Sequence, residues 1–122
     1  MFPCPCCGHL VFEEGPGSYD ICPICNWEDD ALQLQFATSL AGGANRLSLI
    51  NAQREFATKA ARLSHKHPDA QFPSEMDPAW RPIDPATDKF PHWRGTDIER
   101  ASVLDESLYY WRTTFWTRRT AT

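Results

Sequence analysis

The chain has 122 residues, 42% of them apolar and 12% aromatic, with a net charge of −4, which suits a single domain with a modest core. No stretch approaches the roughly 20 consecutive apolar residues of a membrane span, and nothing at either end resembles a targeting segment. Five cysteines would leave one unpaired in a disulfide framework, so the expectation is a soluble cytoplasmic protein with reduced thiols.

Two cysteine knuckles open the chain. Cys4-Pro5-Cys6-Cys7-Gly8 and Cys22-Pro23-Ile24-Cys25-Asn26 are separated by fourteen residues, a spacing that predicts a zinc ribbon. Cys4, Cys7, Cys22 and Cys25 are the predicted ligands of one structural Zn2+. Four thiolates close its tetrahedral shell and leave no position for substrate or water. The residue after each second cysteine must tolerate positive φ, and Gly8 and Asn26 stand there. Pro5 and Pro23 restrict the chain before metal binds. Residues 9–13 and 18–21 are expected to pair as a β-hairpin, turned by Gly15-Pro16-Gly17. A redox C-x-x-C motif has the same spacing, but it normally follows a strand and opens a helix, whereas this first pair starts the chain.

Cys6 is left over between two ligands. It is expected to be exposed or half covered, with a thiol pKa lowered by a nearby metal. It reads either as a bystander or as a redox-sensitive thiol able to displace a ligand.

Before Arg46 there is no Lys or Arg, whereas Glu13, Glu14, Asp20, Glu28, Asp29 and Asp30 bring that segment to −6. Ribbons that bind nucleic acid neutralise phosphates with basic side chains. This one is expected to repel DNA, with Glu28-Asp29-Asp30 as a solvated acidic turn or a dock for a basic partner.

Further along, Leu32, Leu34 and Phe36 alternate with Gln33 and Gln35, which predicts a third ribbon strand within residues 1–40. Gly42-Gly43-Ala44-Asn45 breaks the chain. A helix is then predicted over residues 46–64, N-capped by Ser48, with Leu49, Ala52, Phe56, Ala60 and Leu63 on its apolar face and Gln53, Arg54, Lys59 and Arg62 elsewhere.

The Cys-Pro-Cys-Cys-Gly opening, Tyr19-Asp20-Ile21-Cys22-Pro23, Trp27-Glu28-Asp29-Asp30 and the run from Gly42 through Asn45 to Leu49 together resemble the bacterial CPCC family of cysteine-rich proteins. The resemblance spans about residues 2–64. It implies the metal site and the ribbon, and no particular activity.

Residues 65–95 hold Pro68, Pro73, Pro78, Pro82, Pro85 and Pro91 with Trp80 and Trp93, too proline-rich for a helix and too aromatic for a linker. An ordered segment wrapped over the domain is expected. His65, His67 and His92 form a weaker candidate for a second metal cluster, with no thiolate nearby. Within residues 96–122, Thr96 with Glu99 makes a capping-box pattern for a short helix ending near Asp105. The run Leu-Tyr-Tyr-Trp-Arg-Thr-Thr-Phe-Trp at residues 108–116 predicts a strand with Tyr109, Trp111, Thr113 and Phe115 on one face, and a continuous helix is the competitor.

The expected architecture is a single small α+β domain. A zinc ribbon packs on one main helix, followed by the Pro/Trp-rich segment and an aromatic C-terminal strand. No motif pairs a nucleophile with its base. Catalysis would have to come from Cys6 with His9, or from Glu28, Asp29 and Asp30. The favoured function is a non-catalytic structural-zinc protein that binds another protein through its acidic ribbon face or aromatic C-terminus, with a bacterial immunity or accessory role suggested by analogy. The alternatives are nucleic-acid binding through Arg112, Arg118 and Arg119 with neighbouring aromatics, and redox sensing through Cys6.

Overall fold

A computed structural model of the chain describes residues 1–66, 75–95 and 105–116. The N-terminal third consists of two small hairpins, each with a cysteine knuckle at its tip. In the first, β1 (Phe2–Pro3) pairs antiparallel with β2 (Leu10–Phe12), placing Phe2 opposite Phe12 and Pro3 opposite Leu10. In the second, Ile21 pairs antiparallel with Glu28, and the Tyr19 N–H donates to the Asp29 carbonyl at 3.0 Å.

The expected hairpin between residues 9–13 and 18–21 therefore does not form. A C-x-x-C loop is itself a tight reversal, so the segments on either side of each knuckle become nearest neighbours and pair with each other. The Pro16-Gly17 turn links the two hairpins instead. The expected third strand is also displaced. The outer edge of β2 is extended by Met76, which pairs antiparallel with His9, while Leu10 N–H donates to the Glu75 carbonyl at 2.8 Å and Asp77 N–H to the Gly8 carbonyl at 2.9 Å.

Residues 32–36 are not a strand. They belong to a short helix, α1 (Ala31–Gln35), whose first turn is capped by the Asp30 carboxylate accepting from the Leu32 and Gln33 N–H groups. The alternation misleads because the polar residues are buried too: Gln33 is 0% and Gln35 1% exposed. Gln33 is accommodated by the following loop. Its amide nitrogen donates to the carbonyls of Leu40, Asn45 and Leu47 at 3.0–3.2 Å, and its amide oxygen accepts from the Asn45 backbone and side chain. These bonds offset the desolvation of a buried amide.

The long helix α2 (Leu49–Lys66) begins directly after Ser48, the expected N-cap position, so residues 46–48 of the expected span precede it, with Ala52 N–H donating to the Ser48 carbonyl at 2.9 Å. Leu49 and Ile50 are buried, and Ala52, Phe56 and Ala60 half-buried. Gln53, expected on another face, is only 5% exposed. Leu63 and the other side chains beyond Ala61 lie outside the described residues.

The Pro/Trp-rich segment is ordered over residues 75–95 and is fastened by its aromatics. The Phe36 and Trp93 rings meet edge to face at 5.0 Å, and Trp93 N–H donates to the Ser39 hydroxyl at 2.8 Å. Arg81 clasps the buried Asp88 carboxylate in a two-pronged pair at 2.6 and 2.7 Å.

The C-terminal run is neither strand nor continuous helix. A single 3-10 turn at Glu106–Leu108 leads into a series of turns. Leu108, Tyr109, Tyr110 and Trp111 are consecutively buried, whereas Thr113 is exposed. Turn backbone lets successive side chains point in different directions, and here the core surrounds them. Tyr110 packs edge to face on Phe90 and on Trp111, at 5.6 and 4.9 Å. The expected helix from Thr96 to Asp105, with its Glu99 cap, lies mostly outside the described residues, as do Pro68 and Pro73.

Candidate metal centre

The two knuckles share one backbone design. In the first, Cys4 N–H donates to the His9 carbonyl at 2.8 Å and Gly8 N–H to the Cys4 carbonyl at 2.7 Å; in the second, Cys22 N–H donates to Trp27 at 2.8 Å and Asn26 N–H to Cys22 at 2.9 Å. Each loop closes through a residue of positive φ, Gly8 at 82° and Asn26 at 68°. Asn is among the few non-glycine residues that take this conformation readily.

Between them the knuckles bring the sulfurs of Cys4, Cys7, Cys22 and Cys25 within 4.8 Å of one another. Cys4 and Cys25 Sγ are 3.5 Å apart and Cys7 and Cys22 Sγ 3.7 Å. A tetrahedron of sulfurs each ~2.3 Å from a central ion has edges of about 3.8 Å, so these separations fit a single metal ion. They are far beyond the ~2.05 Å of a disulfide, and all five cysteines are free thiols. Among the described residues this is the one cluster of metal-ligating side chains. Of the proposed histidine cluster, His67 and the His65 side chain lie outside the described residues.

The clustered sulfurs shift one another's protonation in opposite directions. Burial pushes the Cys4 thiol well up, and hydrogen bonding to Cys22 raises Cys7. Hydrogen bonds led by Cys22 pull Cys25 down. Without a cation the cluster shares protons; a divalent ion displaces them, so binding is coupled to proton release. The Ile24 N–H already points at the Cys22 sulfur, 3.4 Å away.

A surrounding layer of contacts fixes the first knuckle. The Pro5 carbonyl at its tip accepts from Gln53 Nε2 at 2.9 Å and from the Trp80 indole at 3.0 Å. Gln53 also donates to the Tyr110 hydroxyl at 2.8 Å and accepts from Ile83 N–H at 2.9 Å. One amide thereby ties α2 to the knuckle, the Pro-rich segment and the C-terminal run. Trp80 lies flat against Gly8, where an added Cβ would come within 2.6 Å of its ring. Glycine is needed at position 8 for this approach as well as for its φ. Asn45 performs a related task for the second hairpin, accepting from Glu28 N–H and donating to the Glu28 carbonyl, both at 2.8 Å.

Several expected site features take other roles. Cys6 is 3% exposed rather than half covered, and without a metal ion its thiol is raised, chiefly through its interaction with Cys25 and then by burial. The expected acidic turn is largely internal: Asp29 is 3% and Asp30 6% exposed. Asp29 accepts from the Ser18 N–H and hydroxyl, and burial raises its carboxyl against those bonds. Asp30 caps α1 and accepts from Ala44 N–H at 3.1 Å. Arg112 is committed to Asp77 at 3.2 Å and Glu106 at 2.8 Å, and the Trp111 indole also donates to Asp77. Trp111 is buried and Arg112 partly so; Arg118 and Arg119 lie outside the described residues. His9 is buried at the base of the first knuckle.

Gln53 and Trp80 had no role at the site on sequence grounds. A glutamine in a helix reads as solvent-facing, and nothing local ties Trp80 to residues more than seventy positions earlier. No described helix is long and apolar enough to cross a membrane. Compared with curated proteins, the chain matches none. A protein-family model described as Cysteine-rich CPCC matches residues 2–77, which cover both knuckles, α1, α2 and the Met76 pairing. With more than half of its length matched, and with both knuckles folded around one four-sulfur cluster, the chain belongs to the cysteine-rich CPCC family.

Proposed function

We propose that this protein is a non-catalytic, zinc-stabilised scaffold that binds another protein. The observation carrying the metal assignment is the mutual closeness of all four ligand sulfurs. An all-thiolate tetrahedral set selects Zn2+ among the common divalent ions, and four protein ligands leave no open coordination position. The ion holds the knuckles together and supplies the folding energy that two hairpins of two or three paired residues lack.

The contact surface in this reading is the outer side of the second hairpin's first arm. Tyr109, Tyr110, Trp111 and Phe115 are internal, and so are Asp29 and Asp30. What stays outside is Tyr19, 61% exposed, and Ile21, 60% exposed, with Glu13, Glu14 and Asp20 exposed nearby in the chain. Two large apolar side chains among carboxylates suit a basic partner that also offers apolar contacts. The test is affinity capture from native lysate with the zinc-loaded protein and with a Tyr19→Ser/Ile21→Ser variant. One protein retained stoichiometrically by the wild type and lost by the variant supports the reading; equal capture by both, or none by either, contradicts it.

A further inference from the structure

A cleft of about 310 Å³ lies between the knuckle face and α2, walled by Trp27, Leu47 and Phe56. Of the five cysteines, only Cys6 and Cys25 line it. Cys25 is also the single cysteine of the five that is not fully buried. Cys6 belongs to the first knuckle and Cys25 to the second, and both border the same cleft. The matching position in the second knuckle is Ile24. The pair is therefore asymmetric: one ligand and one non-ligand thiol share a single opening to solvent.

We infer that Cys25 is an oxidant-modification site and Cys6 its resolving thiol, with the cleft as the entry path for a small peroxide. This rests on the assignment of Cys25 as a metal ligand. The Cys25 sulfur attacks hydrogen peroxide, the O–O bond breaks, an S–O bond forms, and the departing hydroxide takes up a proton to become water. The Cys6 sulfur then attacks Cys25–SOH. An S–S bond forms, the S–O bond breaks, and the hydroxyl leaves with the Cys6 proton as a second water. Two thiols are oxidised by two electrons in all, and one peroxide is reduced to two waters.

The disulfide removes Cys25 from the ligand set. Three sulfurs remain, and retention of the ion weakens. A thiol reductant restores both cysteines and the site. Cys4, Cys7 and Cys22 are buried and do not line the cleft, so the sequence of events begins at Cys25.

The test begins with metal content of the untreated protein, which reads the ligand assignment separately. Zinc-loaded wild type and Cys6→Ser are then exposed to limiting hydrogen peroxide. Metal release is followed with a chromogenic chelator and linkage by peptide mass spectrometry. The expected wild-type result is a Cys6–Cys25 linked peptide appearing together with released zinc, both reversed by dithiothreitol. Cys6→Ser should bind zinc normally, give no linked peptide, and carry its oxidation to sulfinic acid at Cys25, which dithiothreitol does not reverse. A dominant Cys4–Cys25 or Cys7–Cys22 linkage would overturn the inference, as would equally reversible release from Cys6→Ser. Should that variant fail to fold, the wild-type linkage map alone decides between these pairings. An untreated protein without metal defeats the ligand assignment instead.

Discussion

The two knuckles have the same local hydrogen bonds and very different surroundings. In the first, Cys4, Pro5, Cys6, Cys7 and Gly8 are all buried, and Gln53 and Trp80 converge on one carbonyl. In the second, Pro23 and Asn26 are exposed and Cys25 is partly so, and support comes from Asn45 bracing Glu28 behind the loop. The motif alone makes a ligand-presenting loop; what differs is how far the rest of the chain closes over it. The first knuckle serves as core, while the second remains at the surface, where it can be reached.

Breaking a ligand should erase that difference. Cys4→Ser and Cys22→Ser each remove one of four thiolates, and the metal contribution of ~10 kcal/mol or more is comparable to a whole domain's stability. Both variants are expected to lose metal and cooperative unfolding, as read by elemental analysis and circular dichroism.

Substitution after the second cysteine should expose the difference again. Gly8→Ala forces positive φ on alanine and drives its Cβ into the Trp80 ring, for an expected loss of about 3 kcal/mol. At the equivalent position in the exposed knuckle, Asn26→Ala should cost only about 1 kcal/mol, and Asn26→Gly less still. Equal losses in urea titrations of the zinc-loaded variants would mean that the burial contrast carries no energy.

Gln53→Ala should fall next, at about 2–3 kcal/mol, because it leaves the buried Ile83 N–H without its acceptor and removes donors from Pro5 and Tyr110. The acid response of Asp77 is smaller. Burial alone would raise its carboxyl, but bonds from Ala79 N–H, the Trp111 indole and Arg112 hold it below the usual range. A depressed folded-state pKa means that the stabilisation is complete above the unfolded value of ~3.9 and is lost as pH falls through the folded one. The advantage of wild type over Asp77→Asn, about 1–2 kcal/mol near neutrality, should shrink below about pH 4. An advantage independent of pH would assign the effect to shape alone.

How much of this was readable in advance follows from how local each determinant is. The four ligands, the positive φ at Gly8 and Asn26, and the existence of α2 are set within a few residues of where they act, and the sequence displays them. Strand pairing is harder to read, because Gly15-Pro16-Gly17 imitates a hairpin turn while each knuckle is itself the tight reversal. The α1 segment resembles a strand because Gln33 imitates a solvent-facing residue; its burial depends on carbonyls of residues 40, 45 and 47 folding back over it. The run at residues 108–116 has the composition and alternation of a strand, whereas core on several sides buries four successive side chains at 108–111. The closing of the first knuckle depends on Gln53 and Trp80, 48 and 75 residues from Pro5. No periodicity reaches that far.

The central claim, that one ion held by both knuckles makes the fold possible, is tested most directly by titrating Zn2+ into chelator-stripped protein while following far-ultraviolet circular dichroism. The account predicts an unfolded or molten starting state that gains its native spectrum with a sharp end point at one zinc per chain. A stripped protein that already has the native spectrum and does not change as zinc is added would contradict it.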